Sequence, residues 1–140
     1  MNIPKLRDSV ADFLKEKLDG NTVISNLYYP IINLEPDEIG VNVQPRALDV
    51  NFADRSKREL LPQLSVTIIK RSGSNRNAAC DDVLVTMSAI IRLVHGVTFG
   101  KCTCRSLETT EPLIDEDMIA NQNVVISQIV LTFLGMEERK

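Results

Sequence analysis

The chain has 140 residues, 44% of them hydrophobic and 25% charged, with a formal net charge of −3. That is one ordinary domain with enough apolar material for a core without disulfide staples, and its charge argues against nucleic-acid binding driven by bulk positive charge. No apolar run approaches the roughly 20 residues of a membrane-spanning helix, and the charged, amphipathic start MNIPKLRDSVADFLKEKL lacks the apolar centre of a signal peptide, so the reading is a cytosolic product whose three cysteines stay reduced.

The first element is a helix over residues 4–18. Ile3, Leu6, Val10, Phe13, Leu14 and Leu18 recur at spacings of three and four and form one stripe, while Lys5, Arg7, Asp8, Asp12, Lys15 and Glu16 occupy the other side. Pro4 suits the first turn, where its missing N–H costs nothing. Gly20 with Asn21 predicts the stop.

From Thr22 to Arg71 the pattern turns to strands. TVISNLYYPIINL is rich in β-branched and aromatic residues, and Pro30 demotes part of it to an edge or bulge. EPDEIG (35–40) reads as a turn. VNVQPRALDVNF (41–52) alternates on either side of Pro45 and reads as two short pieces. The clearest strand is LSVTIIKR (64–71), with Leu64, Val66 and Ile68 on one face and Ser65, Thr67 and Lys70 assigned largely to the other. ADRSKRELLPQ (53–63), polar and basic, reads as a hairpin loop or the exposed end of an extended β-arm.

RSGSNRN (71–77) has the composition of a flexible loop. The helix after it is the best specified element. Ala79, Val83, Met87, Ile90, Ile91 and Val94 repeat at helical spacing, Asn77 is the expected N-cap, and Gly96 fits the position just past the end. Asp81 and Asp82 near its start, with Arg92 and His95 in its last turn, complement the helix dipole. KCTCRSLETTE (101–111) alternates as a strand. PLIDEDMIANQ is an acidic connection that has room for a helical turn. NVVISQIVLTFL (123–134) is a strand apolar on both faces, with Val125, Ile129, Leu131 and Phe133 on one side and Val124, Ile126, Val130 and Leu134 on the other. Such a strand is covered twice, by the helices on one side and by a second sheet layer or a neighbouring subunit on the other. GMEERK is a charged tail. The order helix, strands, helix, strands defines an α+β domain over residues 1–140. Its mostly antiparallel sheet packs against an N-terminal helix and one long central helix.

Catalytic signatures are missing. There is no GxGxxG, Walker loop, GxSxG or HExxH. The single histidine, His95, sits at a helix end, where a cationic or hydrogen-bonding group has a capping role. Cys102 and Cys104, one residue apart, share one face of a strand. Zinc sites use a wider gap and a second ligand pair, and Cys80 and His95, fifteen positions apart on one helix, are about four turns from each other. The cysteines therefore read as small apolar residues. No catalytic residue, metal ligand or cofactor is predicted, although a small thiol or metal enzyme built on Cys80, Cys102, Cys104 and His95 is the reading of a different class. IDEDM (114–118) lacks the glycine and spacing of a calcium loop and reads as a solvated acidic turn. DRSKRELLP (54–62) lacks the interleaved aromatics of a single-strand nucleic-acid binder, so it reads as an arm for protein contacts.

Charge is unevenly placed. Residues 46–76 carry 7 positive and 3 negative side chains, whereas residues 1–45 carry 4 and 7, and residues 105–140 carry 3 and 7. A basic middle between acidic ends favours heterologous contact between copies. The residues expected at such contacts are Arg46, Arg55, Lys57, Arg58, Lys70, Arg71 and Arg76 on the basic side and Asp115, Glu116 and Asp117 on the acidic side.

This succession of segments resembles the tail terminator and minor tail protein U group of tailed bacteriophages and related head–tail joining proteins. The segments are IPKLRDSVADFLKEKL, RSKRELLPQLSVTIIKR, SGSNRN, CDDVLVTMSAIIRLVHG, EPLIDEDMIANQ and VVISQIVLTFLG. YYPIINLEPDEIGVNVQPRALDV departs from the group, being longer and more broken by proline. The resemblance implies a non-enzymatic virion protein that is assembled in the host cytoplasm. Its place would be the head-proximal end of the tail, as a hexameric ring that caps the tail tube and joins it to the head connector. Its partners would be further copies of itself, the tail tube protein and a connector or neck protein, with neither a membrane nor a specific nucleic acid. The alternative within the same class is a neck adaptor beside the connector.

Overall fold

Asn2 caps the first helix, α1 (Ile3–Lys17), by accepting a hydrogen bond from Lys5 N–H at 2.9 Å. The computed structural model describes residues 2–26, 34–52 and 57–138. The elements that follow are β1 (Thr22–Ser25), β2 (Ile39–Phe52), β3 (Lys57–Arg71), α2 (Arg76–Val94), β4 (Thr98–Phe99), β5 (Cys102–Thr109), α3 (Glu116–Gln122) and β6 (Val124–Glu138). The six strands form one sheet in the order β1-β2-β3-β6-β5-β4. Only β1 and β2 run parallel; every other pairing is antiparallel. This is an α+β architecture with a mixed sheet and three helices.

The core lies between one face of the sheet and α1 with α2. From α1 come Leu6, Val10, Ala11 and Leu14, and from α2 Ala79, Val83, Met87, Ile90 and Val94. Under them lie Val41 and Val43 of β2, Leu64, Val66 and Ile68 of β3, Cys102 and Cys104 of β5, and Val125, Ile129, Leu131 and Phe133 of β6. Each fully buried aliphatic or aromatic side chain here contributes on the order of 1.5–3 kcal/mol relative to exposure. Although β1 and β4 are opposite edges of the sheet, α1 packs against both. The sheet therefore curls around the helix layer. Phe13, Phe99 and Phe133 carry this closure as a chain of edge-to-face rings, with centroids 5.3 Å and 6.0 Å apart.

Several boundaries differ from the sequence reading. Residues 41–52 form one strand. At Pro45 the register with β3 shifts by one residue, so Arg46 is the extra residue of a bulge. Odd-numbered residues face the helices before the bulge and even-numbered ones after it, which is why the alternation reads as two pieces. Pro45 is tolerated because β1 pairs with β2 only at Ile39–Asn42, leaving no strand beyond it there among the described residues. Residues 57–63 belong to β3, with Leu60 and Pro62 buried, and residues 53–56 of the expected arm or loop lie outside the described residues. Pro62 lies inside that strand, and the matched pairs with β6 lapse at Leu61 and Pro62, where proline has no N–H to give.

The long helix starts two residues earlier than expected, with Asn75 as cap in place of Asn77. Its end matches the expectation: His95 is the C-cap and Gly96 follows at φ +76°. The stop of α1 is Leu18 in an extended conformation, and Gly20 is not left-handed. Residues 116–122 are a helix of two turns. Residues 71–77 are divided between the end of β3, a short turn and the start of α2, and Ser72 N–H donates to Asn123 O at 2.9 Å. Lys70 lies on the helix-facing side of β3, not with Ser65 and Thr67. The YYPIIN run with Pro30 lies outside the described residues.

Candidate assembly surface

Among the described residues, the charged residues expected at contacts do not form one patch: Lys57 and Arg58 lie at the far end of the long β2–β3 hairpin, Arg46 partway along it, and Lys70, Arg71 and Arg76 towards its other end, with the acidic residues in the first turn of α3. β3 has 15 residues, and at about 3.3 Å per residue its ends are roughly 45 Å apart. At the far end of the hairpin, Phe52 stands opposite Arg58, and Arg58 opposite Glu137 of β6. Lys57 begins β3 there. Arg46, exposed at the bulge, lies partway along. Arg55 lies outside the described residues. On the helix-facing side of this part of β2, Leu48 and Val50 are 43% and 41% exposed, although Leu60 and Pro62 beside them are buried. Leu48 and Val50 therefore lie close along β2 to the exposed Arg46.

At the near end are Lys70, Arg71 and Arg76, together with the acidic residues of α3. Lys70 is committed internally: its Nζ lies 3.3 Å from Asp82 Oδ2 and ties β3 to α2. Arg71 ends β3 opposite Val124, and Arg76 opens α2; both are exposed. Asp115 caps α3, its Oδ1 accepting hydrogen bonds from Asp117 N–H at 3.0 Å and Met118 N–H at 3.3 Å. Glu116 and Asp117 occupy the first turn, exposed, where the helix dipole favours anions. Met118 fixes α3 by packing with Leu34, Ile69, Val124 and Ile126 on the face of the sheet opposite α1 and α2.

A third feature has no counterpart in the sequence pattern. An open groove of about 520 Å³ runs between the end of α1 and the outward side of α2, lined by Lys17, Leu18, Asp19, Thr22, Val85, Thr86, Ala89, Arg92 and Leu93. Val85, on its wall, is 68% exposed. Lys17 and Arg92 are far apart in sequence and sit on different helices, so no local pattern signals the groove.

The cysteines do not assemble a reactive centre. Cys102 and Cys104 are buried on the core face of β5 and Cys80 is half-buried on α2. Burial pushes the Cys102 thiol up and the Cys104 thiol up to about 11, so neither is a thiolate near neutrality. His95 is exposed at the end of α2, where the next residue, Gly96, donates its N–H to Cys104 O at 3.0 Å. Among the described residues no three His, Cys, Asp or Glu side chains are grouped to hold a metal ion, and no helix is long and apolar enough to cross a membrane.

The geometry is that of a domain built around surfaces. No protein-family model matches the sequence, and no curated protein matches it significantly. Among solved structures, the chain shares its fold with a protein chain of the virion of a native gene transfer agent particle. The TM-score is 0.55 at 13% identity, and the superposition covers 96% of this chain and 95% of that one. At that identity the likeness is one of fold, and it extends over both chains almost end to end.

Proposed function

We propose that this chain is a structural protein of a phage-like virion, and within that class a tail terminator. It forms a ring that caps the tail tube and presents a surface to the head connector. The observation that carries the reading is the end-to-end fold likeness to a chain of a gene transfer agent virion. The segment order that resembles tail terminators supports the finer position. Cys102 and Cys104 are buried in the core with their thiols raised, in keeping with a binding role. The function is therefore assembly, without catalysis or cofactor, in the host cytoplasm and then at the head-proximal end of the tail.

In this reading the ring is hexameric and its subunit contacts are heterologous, a different surface meeting each neighbour. The hairpin, with Arg46, Lys57 and Arg58, makes one class of contact, to which Arg55 is assigned from the sequence. The near end, with Arg71, Arg76 and the acidic first turn of α3, makes another. Lys70 acts inside the subunit.

The test is to mix the purified chain with tail tubes built from the tube protein of the same particle, then examine them by negative-stain electron microscopy and co-sedimentation. A terminator gives ring density at one end of the tube and halts tube growth. Binding to the connector without binding to tubes would instead assign the neck-adaptor position. A chain that remains monomeric and binds neither would refute the virion reading.

A further inference from the structure

Two surface features of the chain match in chemistry. The first is the groove beside α2. Its apolar part is Leu18, Val85, Ala89 and Leu93, and its charged part is Lys17 and Arg92 with Asp19 nearby. Val85 is the most exposed large hydrophobic side chain among the described residues, and no carboxylate among them pairs with Arg92. The second is the segment leading into α3. Leu113 is 43% exposed, and Glu116 and Asp117 follow it, exposed and without an ion pair among the described residues. A lone exposed valine or leucine means little. Here Val85 shares its groove with two cations, and Leu113 is followed by two carboxylates, so the two sites carry charges of opposite sign. The groove lies between α1 and α2, whereas the segment leads into α3, which is anchored through Met118 on the far face of the sheet and through Ile119 in the core shared with α1 and α2.

We propose that the Leu113–Asp117 segment of one copy docks into the α1–α2 groove of a second copy. Leu113 covers Val85 and the apolar floor, and the carboxylates of Glu116 and Asp117 face Lys17 and Arg92. Asp115 is spent on capping its own helix and serves only to hold the segment's shape. Because donor and acceptor surfaces differ, the contact is heterologous and repeats from copy to copy until it closes. The inference rests on the ring reading above and supplies it with a specific subunit contact. Its charged part is exposed, so assembly weakens as salt is raised.

The experiment is a charge swap read by mass photometry and sedimentation velocity, in solution and on tail tubes. Lys17→Glu with Arg92→Glu, and separately Glu116→Lys with Asp117→Lys, should each raise the concentration needed for half-assembly by at least about tenfold. All four changes in one chain should restore assembly, an outcome that damage to α3 or α2 would not produce. As a second measurement, Val85→Cys and Leu113→Cys in one chain should give, on mild oxidation, a ladder of disulfide-linked oligomers that neither single variant gives. Assembly unchanged by either pair of reversals, or lost in both without rescue and with no ladder, overturns the contact while leaving the ring reading standing. A wild-type chain that stays monomeric in both settings overturns the ring reading and this contact with it.

Discussion

Replacing Phe133 by alanine should be among the most damaging single changes in this chain. Phe133 is fully buried in the middle of the core, and its ring meets Phe99 at 6.0 Å and 73°. Phe99 meets Phe13 of α1 at 5.3 Å and 86°. The change removes a benzyl group from a closed core and breaks the aromatic chain that joins β6, β4 and α1. Phenylalanine-to-alanine changes at such sites cost about 3–5 kcal/mol, a large part of the roughly 5–15 kcal/mol by which a domain is stable. With a urea m-value of about 2 kcal/mol/M, the midpoint should fall by about 2 M with m unchanged. Phe133→Leu keeps most of the volume and should cost only about 1–1.5 kcal/mol. A double-mutant cycle of Phe133→Leu with Phe99→Leu should return a coupling of about 0.5–1.5 kcal/mol for the ring pair. A loss below about 1.5 kcal/mol for the alanine variant, or a coupling indistinguishable from zero, would refute the claim that this chain of rings closes the sheet onto α1.

Two further outcomes follow from buried groups. The Ser72 hydroxyl is buried with no hydrogen-bond partner among the described residues, so Ser72→Ala removes an unsatisfied group and should leave stability unchanged or raise it by up to about 1 kcal/mol; a clear loss in urea unfolding would mean the hydroxyl has a partner. The cysteines should divide on thiol labelling at pH 8, with Cys80 reacting in the native state and Cys102 and Cys104 only on unfolding. Because the Cys104 thiol is raised in the fold, the native state holds its proton longer than the unfolded chain does. Its contribution to stability is complete below the unfolded value of 9.0 and is lost as pH rises from there towards about 11. Cys104→Ser or Cys104→Ala should flatten the alkaline decline in urea midpoint, and an unchanged slope would place its cause elsewhere.

How legible each element is in the sequence follows from how local its signal is. The long helix is plain because Ala79, Val83, Met87, Ile90 and Val94 keep helical spacing to the end and Gly96 marks the stop; its start is ambiguous because Asn75 and Asn77 are equally good caps. The body of β6 is plain because a long apolar run rich in valine and isoleucine favours an extended strand buried on both faces, whereas Asn123 caps α3 and Gly135–Glu138, read as a charged tail, continue the strand. β2 is obscured by a single inserted residue, Arg46, which reverses the alternation and puts Leu48 and Val50 on the side where Val41 and Val43 began. The start of β3 is obscured by its charge and by Pro62, both signals of a loop anywhere except in an extended hairpin. α3 is too short and too acidic to show a periodic stripe. At the surface, summed charge misleads for a geometric reason: one strand carries Arg58 and Arg71 to opposite ends of the sheet, and Lys70 is spent on Asp82. The groove joins Lys17 to Arg92 across helices that only the fold brings together.

The doubly apolar closing strand sharpens where partners can attach. One of the covers expected for its second face is a neighbouring subunit. In the fold, Val124 and Ile126 are covered from within, by Met118 of α3 and by Leu34. Farther along, the face changes character: Gln128 Nε2 donates to Thr67 Oγ1 and Gln63 Nε2 to Thr132 Oγ1, both at 3.4 Å, and Val130 between them is shielded by its neighbours. A face of cross-strand glutamine and threonine pairs around one shielded valine is satisfied as it stands, and covering it would return little apolar area. The exposed apolar side chains lie elsewhere, at Leu48 and Val50 towards the hairpin end, at Val85 in the groove and at Leu113 before α3. Each lies near exposed charged side chains, so apolar contact and charge complementarity are available together there. Assembly of this chain should therefore depend on those sites, and substitutions on the Gln63–Thr132 and Thr67–Gln128 face should change stability more than they change oligomeric state.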